Sequence, residues 1–208
     1  MSIEIWVAFV LAATLILIVP GPTVVLVISQ AANYGRISVV PLITGVVFGD
    51  FAAMTLSLMG LGALMSTSAK MFTAFKWIAA VYLIYLGIKQ FKAIQSKAST
   101  LDSSKGKSTL SLFRSSFIVT TFNPKGIAFF VVFFPQFIEA SKPVLIQMVI
   151  LGTTFLFLAF LNITIYAIFA GSLQASISHG HVRKWFNRLS GSALIGAGIF
   201  TVAMQKST

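Results

Sequence analysis

The stretch FIVTTFNPKGIAFFVVFFPQF, residues 117–137, contains a single charged residue, Lys125. The nearest charges on either side are Arg114 and Glu139, so the 24 residues between them carry one ammonium group. A segment this long and apolar is typical of a membrane-spanning helix, which needs about 20 residues. A lysine near its middle, directly after Asn-Pro, therefore needs a specific partner or a functional reason.

The composition of the whole chain indicates a membrane protein. Of its 208 residues, 57% are hydrophobic and only 9% are charged, whereas a soluble domain carries about 25% charged residues. Helices are the default spanning structure, and the apolar runs are much longer than the roughly 10 residues of a barrel strand. We therefore predict an all-α integral membrane protein with a single membrane domain, residues 1–208.

Six segments are long and apolar enough to be predicted as transmembrane helices. They cover about residues 5–31, 38–65, 71–91, 113–138, 145–173 and 187–205. The chain has no cysteine, which excludes disulfides and cysteine metal sites. We expect no cofactor, and in a membrane protein the net charge of +11 bears on topology rather than on nucleic-acid binding.

The basic residues predict the orientation, because cytoplasmic loops carry an excess of lysine and arginine. The loops after the first, third and fifth segments, with their flanks, hold ten basic residues, against four on the other side. The odd loops should therefore be cytoplasmic and both termini outside. The ten are Arg36, Lys89, Lys92, Lys97, Lys105, Lys107, Arg114, Arg183, Lys184 and Arg188, and the four are Lys70, Lys76, Lys142 and Lys206.

A polar stretch near the middle divides the chain into two halves of three segments each. We predict a first repeat over about residues 1–92, a cytoplasmic linker over 93–110 and a second repeat over 111–208. Because each half has an odd number of spans, the second half would enter the membrane in the opposite orientation, as an inverted repeat.

The first segment of each half is interrupted by proline. The first segment contains Pro20, Gly21 and Pro22, and the fourth contains Asn123 and Pro124. Proline removes a backbone donor and clashes with the preceding turn, so each helix should break near its middle. The freed carbonyl groups then need another partner or a cavity. Paired interruptions in corresponding segments are the best sequence indication of a transporter's substrate site.

The deepest charges and the breaks fall near one level of the membrane. At about 1.5 Å per residue, Lys125 lies roughly 16 Å along the chain from Arg114, and Asp50 lies roughly 21 Å from Arg36. Pro20 is 16 residues from Arg36. An unpaired charge at the bilayer centre costs at least about 2.5–3.5 kcal/mol. Lys125 and Asp50 should therefore pair or share a wet cavity.

The second break also has local chemistry that favours anions. Asn123 is a good N-cap and Pro124 a good first helical residue, so a half-helix should begin there with free N–H groups. The Gly-Pro of the first break can do the same. Such N-termini favour negative charge. Lys125 would then either bind an anionic group of a substrate or neutralise Asp50, which is itself a candidate proton carrier.

With these features, the chain resembles the lysine-exporter (LysE/RhtB) superfamily of bacterial amino-acid exporters. The matching stretches are PGP at 20–22, GVVFGD at 45–50, YLIYLGIKQFKA at 82–93 and NPKGIAFFVVFFPQF at 123–137. Together with the six predicted spans and the basic central linker, the resemblance covers nearly the whole chain.

The resemblance implies a secondary transporter of the bacterial inner membrane, driven by the proton gradient. It would export amino acids or related small metabolites, such as homoserine, threonine, leucine or lysine. Its partners would be the amino-acid substrate, protons and membrane lipid, without nucleic acid, and the small apolar molecule permits a homodimer. The resemblance implies a role in the family's motifs for nine residues of this chain, which are Pro20, Gly21, Pro22, Gly45, Gly49, Asp50, Asn123, Pro124 and Lys125.

Other residues within the spans favour packing over ligand binding. Gly45 and Gly49 form G-x-x-x-G, which is typical of close helix packing. Four polar residues favour interhelical hydrogen bonds; they are Thr23, Gln30, Asn162 and Tyr166. Of these, Thr23 and Asn162 are retained as candidate site residues. The HGH motif at 179–181 lacks a third ligand and is predicted to be a solvated loop rather than a metal site.

The sequence bears on two functions other than transport, an intramembrane enzyme and a channel. An intramembrane aspartyl enzyme needs two carboxylates within the membrane, and this chain has one, Asp50. A serine–histidine enzyme needs an intramembrane histidine, and both histidines lie in a predicted loop. We therefore expect no enzyme. A channel stays open as an alternative, because saturable accumulation against a gradient is what would separate the two.

Overall fold

The computed structural model describes residues 1–67, 108–139 and 141–173 continuously, with single positions between 77 and 89 and between 188 and 199. Residues 93–107 of the predicted linker, the HGH motif and most of the predicted third and sixth segments lie outside the described residues. The described residues form helices and turns, and no β-strand occurs among them.

The first predicted segment consists of two helices separated by a break. Helix α1 spans Ile3–Ile18 and α2 spans Pro22–Tyr34. The Ser2 hydroxyl caps α1 by accepting a hydrogen bond from the backbone of Ile5 at 3.4 Å. The chain between the helices is extended, and Gly21 is the N-cap of α2, with proline as its first residue. The break therefore lies at the predicted prolines.

A tight turn at Gly35 reverses the chain after α2. The φ of Gly35 is 69°, a conformation that glycine adopts at little cost. A 3-10 turn over Gly35–Ser38 leads into α3, Val39–Thr67. Residues Pro22–Gly60 form one apolar run in the sequence, but α2 and the first half of α3 fold back on each other, so that Thr23 and Asp50 line the same cavity.

The predicted fourth segment is bent and changes its helix type along its length. Helix α4 spans Thr109–Thr121, with Ser108 as its N-cap, and α5 spans Pro124–Ala128. The chain continues as a π-helical turn over Phe129–Phe133 and a 3-10 turn over Phe134–Phe137. The axis bends by 40° at the break, which is the kink that an internal proline produces.

Helix α6, Val144–Ile168, completes the described long helices. By length and composition, α6 could cross a membrane, as could the apolar run that contains most of α3, and the bent pair of α4 and α5 adds a third span within the described residues. Helix α1 is apolar but shorter. The described part is therefore that of a membrane protein.

Close packing of small residues sets the direction of α3 against its neighbours. A Cβ atom at Gly45 would collide with the Ser116 side chain and lie 2.5 Å from the carbonyl oxygen of Phe113. A Cβ at Gly49 would lie 2.8 Å from the carbonyl oxygen of Phe117 and from Thr120. Both contacts advance together along the chain, so α3 and α4 run parallel with their backbones nearly touching.

Helix α6 runs antiparallel to α3, because Gly152 contacts Met54 while Ile163 shares a cavity with Val46. These directions are the ones that the predicted topology requires of the first, second, fourth and fifth segments. The number of six helices, the inverted repeat and the side that faces the cytoplasm stay predictions.

Two apolar clusters lie on either side of the helix breaks. One contains aromatic side chains such as Phe9, Phe129 and Phe155 and lies toward the N-terminus; we call this the Met1 end. The other is aliphatic and contains Val27 and Leu42; it lies toward the turn at Gly35, and we call it the Gly35 end.

Candidate functional site

A small cavity lies where the two helix breaks meet, between the two apolar clusters. Its free volume is about 40 Å³, which is enough for a few water molecules and too little for an amino acid. The polar residues of its lining are Thr23, Asp50, Asn123, Lys125 and Asn162, and its apolar residues include Ile16, Leu17, Val24, Val46, Phe129, Phe155 and Ile163.

The ammonium group of Lys125 binds the broken end of α1. Its Nζ donates to the carbonyl oxygens of Ile16 at 2.9 Å and Val19 at 2.6 Å. In an unbroken helix the Ile16 carbonyl would accept from the residue four positions on, which is Pro20 and has no N–H. Gly21 lies directly beside the lysine side chain, since a Cβ there would be in ordinary van der Waals contact with it, 3.4 Å from Cε and 3.5 Å from Nζ.

A second side chain binds the carbonyl that Pro22 leaves without a helical hydrogen bond. The Tyr166 hydroxyl on α6 donates to the carbonyl oxygen of Ile18 at 2.7 Å. By the same four-residue rule, this carbonyl would have paired with the missing N–H of Pro22. The carbonyls of Ile16 and Ile18, which we call the orphan carbonyls, thus have one dedicated side-chain donor each.

Asn123 holds the second break and connects it to the first. Its Oδ1 accepts from the backbone N–H of Lys125 at 3.1 Å, so it is the N-cap of α5. Its Nδ2 donates to the Thr23 hydroxyl at 3.0 Å, and the Thr120 hydroxyl reaches the same oxygen at 3.3 Å. The start of α2 and the end of α4 are therefore joined by one buried polar network.

Two polar groups in the cavity have no partner among the described residues. Asp50 is buried, with 8% of its surface exposed, and forms neither a hydrogen bond nor an ion pair with any described residue. No oxygen of Asp50 lies within 4.0 Å of Lys125 Nζ. The Asn162 amide lines the same cavity and likewise makes no hydrogen bond within the described part of the chain.

The polar side chains that line the cavity are suited to binding a small zwitterion. Asp50 offers a free carboxylate and Asn162 a free amide. An ammonium has three hydrogens to donate, and Lys125 gives two to α1, so one is left. One negative and one positive side chain make the site neutral as a whole. A ligand with both charges would leave that balance unchanged, which limits the cost of placing charges in the membrane.

The structure brings most of the predicted site residues together. The three prolines Pro20, Pro22 and Pro124 break the helices, and the polar candidates line the cavity. Gly45 and Gly49 instead face α4. Among the described residues, no group of three or more histidine or acidic side chains could hold a metal ion.

The hydrogen bond of Tyr166 is predicted from the sequence only in general terms. The sequence predicts an interhelical hydrogen bond for it, and such a bond is present. Its acceptor could have been named in part, because Pro22 identifies Ile18 as a carbonyl without its helical partner. Which side chain would reach that carbonyl depends on the packing of α6 against α1.

A separate ionic cluster fastens the Met1 end outside the cavity. Glu139 accepts from the N-terminal ammonium of Met1 at 3.1 Å and from Lys142 at 3.0 Å. The Gln147 amide also bonds the backbone of Glu139. The hydrogen bond from Lys142, and then that from the N-terminus, hold the pKa of Glu139 below its usual value.

Comparison with known proteins gives consistent results. The family model described as LysE type translocator matches residues 14–205. An uncharacterized membrane protein of Vibrio cholerae is 32% identical over 96% of this chain and 97% of its own. A homoserine/homoserine lactone efflux protein of Salmonella typhimurium is 35% identical over 95% and 96%. A leucine efflux protein of an Enterobacter strain is 29% identical over 79% and 78%. No solved structure is significantly similar to the chain.

Proposed function

The chain belongs to the family of LysE type translocators, and from this premise we propose that it exports amino acids or related small metabolites. The transport would be secondary, across the bacterial inner membrane, in exchange for protons. Relatives that cover most of the chain are named for efflux of homoserine, homoserine lactone and leucine. These names support a substrate with an α-amino group and a carboxyl or related carbonyl group.

The observation that carries the proposal is the free Asp50 carboxylate in a cavity between two broken helices. In this proposal Asp50 binds the α-ammonium of the substrate. The remaining hydrogen of Lys125 and the Asn162 amide bind its carboxylate. The substrate side chain then lies against the apolar lining, which contains Phe129 and Phe155. Recognition of the zwitterion by these three groups would be common to many amino acids.

Competition at Asp50 explains how export is coupled to protons. The carboxylate is neutralised either by the substrate ammonium or by a proton, and it does not hold both. A protein that crosses between its two orientations only when Asp50 is neutralised would exchange one for the other, because an unpaired charge in the membrane is costly. The proton gradient then drives the amino acid outward.

Access to the cavity alternates in this proposal, because an apolar cluster lies between it and each end of the described helices. Toward the Met1 end it is covered by the aromatic cluster, and toward the Gly35 end by the aliphatic cluster. An amino acid enters only if one cluster separates from its neighbours. In a transporter the two would open in turn, whereas in a channel both would open together.

The test is counterflow in proteoliposomes loaded with a panel of labelled amino acids, for the wild type and Asp50→Asn. We expect saturable exchange of some amino acids by the wild type, and accumulation against a gradient when a pH difference is imposed. Asp50→Asn should keep substrate exchange at lower affinity and lose the response to the pH difference.

Two results would contradict the proposal. Flux that never saturates and never exceeds equilibrium would indicate a channel. Normal proton-driven accumulation by Asp50→Asn would remove Asp50 from the coupling mechanism, even if amino acids are transported.

A further inference from the structure

The backbone carbonyl oxygens of Ile16 and Val19, together with the Asp50 carboxylate in the adjoining cavity, form the oxygen-rich surroundings of a cation site. In transporters with broken helices, carbonyl oxygens at the C-terminal end of a half-helix coordinate the coupling cation. Here α1 ends in the same way, with the carbonyls of Ile16 and Val19 directed at one point. The point is occupied by a cation already, since it is the position of Lys125 Nζ.

We propose that the ammonium of Lys125 is a tethered replacement for a bound sodium ion. This inference rests on the proposed transport function, and it adds a structural reason why the coupling ion is not sodium. The wild-type protein has no vacant site for sodium at the broken helix, because the cation is part of the chain. Transport is therefore independent of sodium, and the ion that remains for coupling is the proton.

The distances support a cation held by the carbonyls rather than a lysine that merely passes them. Nζ lies 2.6 Å and 2.9 Å from the two oxygens, which are charge-assisted hydrogen bonds. Both oxygens belong to the segment that Pro20 prevents from continuing as a helix. The lysine itself comes from α5, more than 100 residues further along the chain, so the contact joins two separate parts of the fold.

Removing the ammonium of Lys125 should create a binding site for a free cation. Lys125→Ala leaves two carbonyl oxygens without a donor and the Asp50 carboxylate without a balancing charge in the same cavity. A small monovalent cation satisfies both needs, whereas choline is too large for a cavity of about 40 Å³. The variant should therefore acquire a sodium site that the wild type lacks.

The experiment compares thermal unfolding of the purified protein in sodium chloride and in choline chloride at equal ionic strength. The wild type and Lys125→Arg should unfold at the same temperature in both salts, because each carries its own cation. Lys125→Ala should be stabilised by sodium, by about 3–5 °C at ten times the dissociation constant. Lys125→Met keeps the bulk of the side chain without its charge, and the same shift is expected if Lys125→Ala does not fold.

The double variant Asp50→Asn/Lys125→Ala is the matched control. It loses the negative charge as well, so the sodium shift should disappear. Stabilisation of the wild type by sodium would overturn the proposal, as would equal melting temperatures of Lys125→Ala and Lys125→Met in the two salts. Thermal unfolding needs no substrate, so this test stays valid even if no amino acid is transported in proteoliposomes. Likewise, the absence of a sodium effect on unfolding would not contradict amino-acid transport.

Discussion

The two helix breaks differ in where their partners come from. At the break between α4 and α5, the stabilising contacts are local: Asn123 caps the next helix, and its own N–H bonds the Thr120 carbonyl at 3.0 Å. At the break between α1 and α2, the N-cap is Gly21, which has no capping side chain. The free carbonyls there are bound by Lys125 and Tyr166, which are remote in sequence.

The difference indicates that one break is a fixed support and the other depends on its neighbours. The α4–α5 break is capped by short-range contacts and carries Lys125 to the cavity. At the α1–α2 break, Thr23 bonds the start of α2 to Asn123, whereas the free carbonyls after α1 are held by the side chains of Lys125 and Tyr166. We infer that α1 and α2 are the elements that move in transport, because their restraints can be released by moving other helices.

The largest expected effect comes from removing the donor of the first break. Lys125→Ala should reduce substrate exchange by about 10- to 100-fold or more, because a charge-assisted hydrogen bond to buried groups contributes roughly 1.5–3 kcal/mol. Exchange of labelled amino acid in proteoliposomes measures this. Lys142→Ala is the control, since that side chain is 45% exposed; an equal loss in both variants would contradict a specific role.

Replacing the proline tests whether Lys125 substitutes for a missing backbone donor. Pro20→Ala restores an N–H for the Ile16 carbonyl, so it should relieve part of the stability loss in Lys125→Ala. The expected coupling energy is about 1–2 kcal/mol in a double-mutant cycle of thermal unfolding. Transport should not return, because a continuous helix closes the break. Additive stability changes would show that the lysine and the proline act independently.

The second break should tolerate loss of its cap better. Asn123→Ala removes the N-cap of α5 and the bond to Thr23, at a cost of about 0.5–2 kcal/mol in stability. Asn123→Asp keeps an acceptor for the Lys125 N–H and should recover most of the capping. Thermal unfolding of the two variants measures the difference, and an alanine variant as stable as the wild type would show that the cap is dispensable.

Removing a single hydroxyl gives a smaller effect on the first break. Tyr166→Phe leaves the Ile18 carbonyl without its donor, at a cost of about 1 kcal/mol. The apparent KM for substrate should rise more than the maximal rate falls, because the end of α1 is displaced from the cavity. Tyr85→Phe, at an exposed position, is the matched control and should resemble the wild type in both quantities.

The smallest effect is expected at the Met1 end, away from both breaks. The pKa of Glu139 is lowered in the folded protein, chiefly by Lys142. Its stabilisation is therefore complete above the pKa of the unfolded chain, near 4.5, and is lost as the pH falls through the lower folded value. The melting temperatures of the wild type and Glu139→Gln should differ at pH 6 and converge at strongly acidic pH. If the two melting temperatures differed by the same amount at every pH, the effect of Glu139→Gln would come from packing rather than from charge.

Features that depend on local chemistry could be predicted from the sequence. Both breaks lie at their prolines, because a missing N–H acts within one turn. The close face at Gly45 and Gly49 follows from residue size and helical spacing. The sequence predicts Asp50 or an anionic group of a substrate as the partner of Lys125. The two carbonyl oxygens that it binds could not be predicted, since this contact depends on how far α5 lies from α1. That distance is set by packing across the fold.

The most direct test of the central claim, a substrate site between the two breaks, is protection of a cysteine placed in the cavity. The chain has no cysteine of its own, so Ala159→Cys gives a single reactive position in the cavity lining, and Ser141→Cys gives an exposed control. We expect a transported amino acid to slow thiol modification at position 159 and to leave position 141 unchanged. Equal modification rates at position 159 with and without substrate would contradict the account.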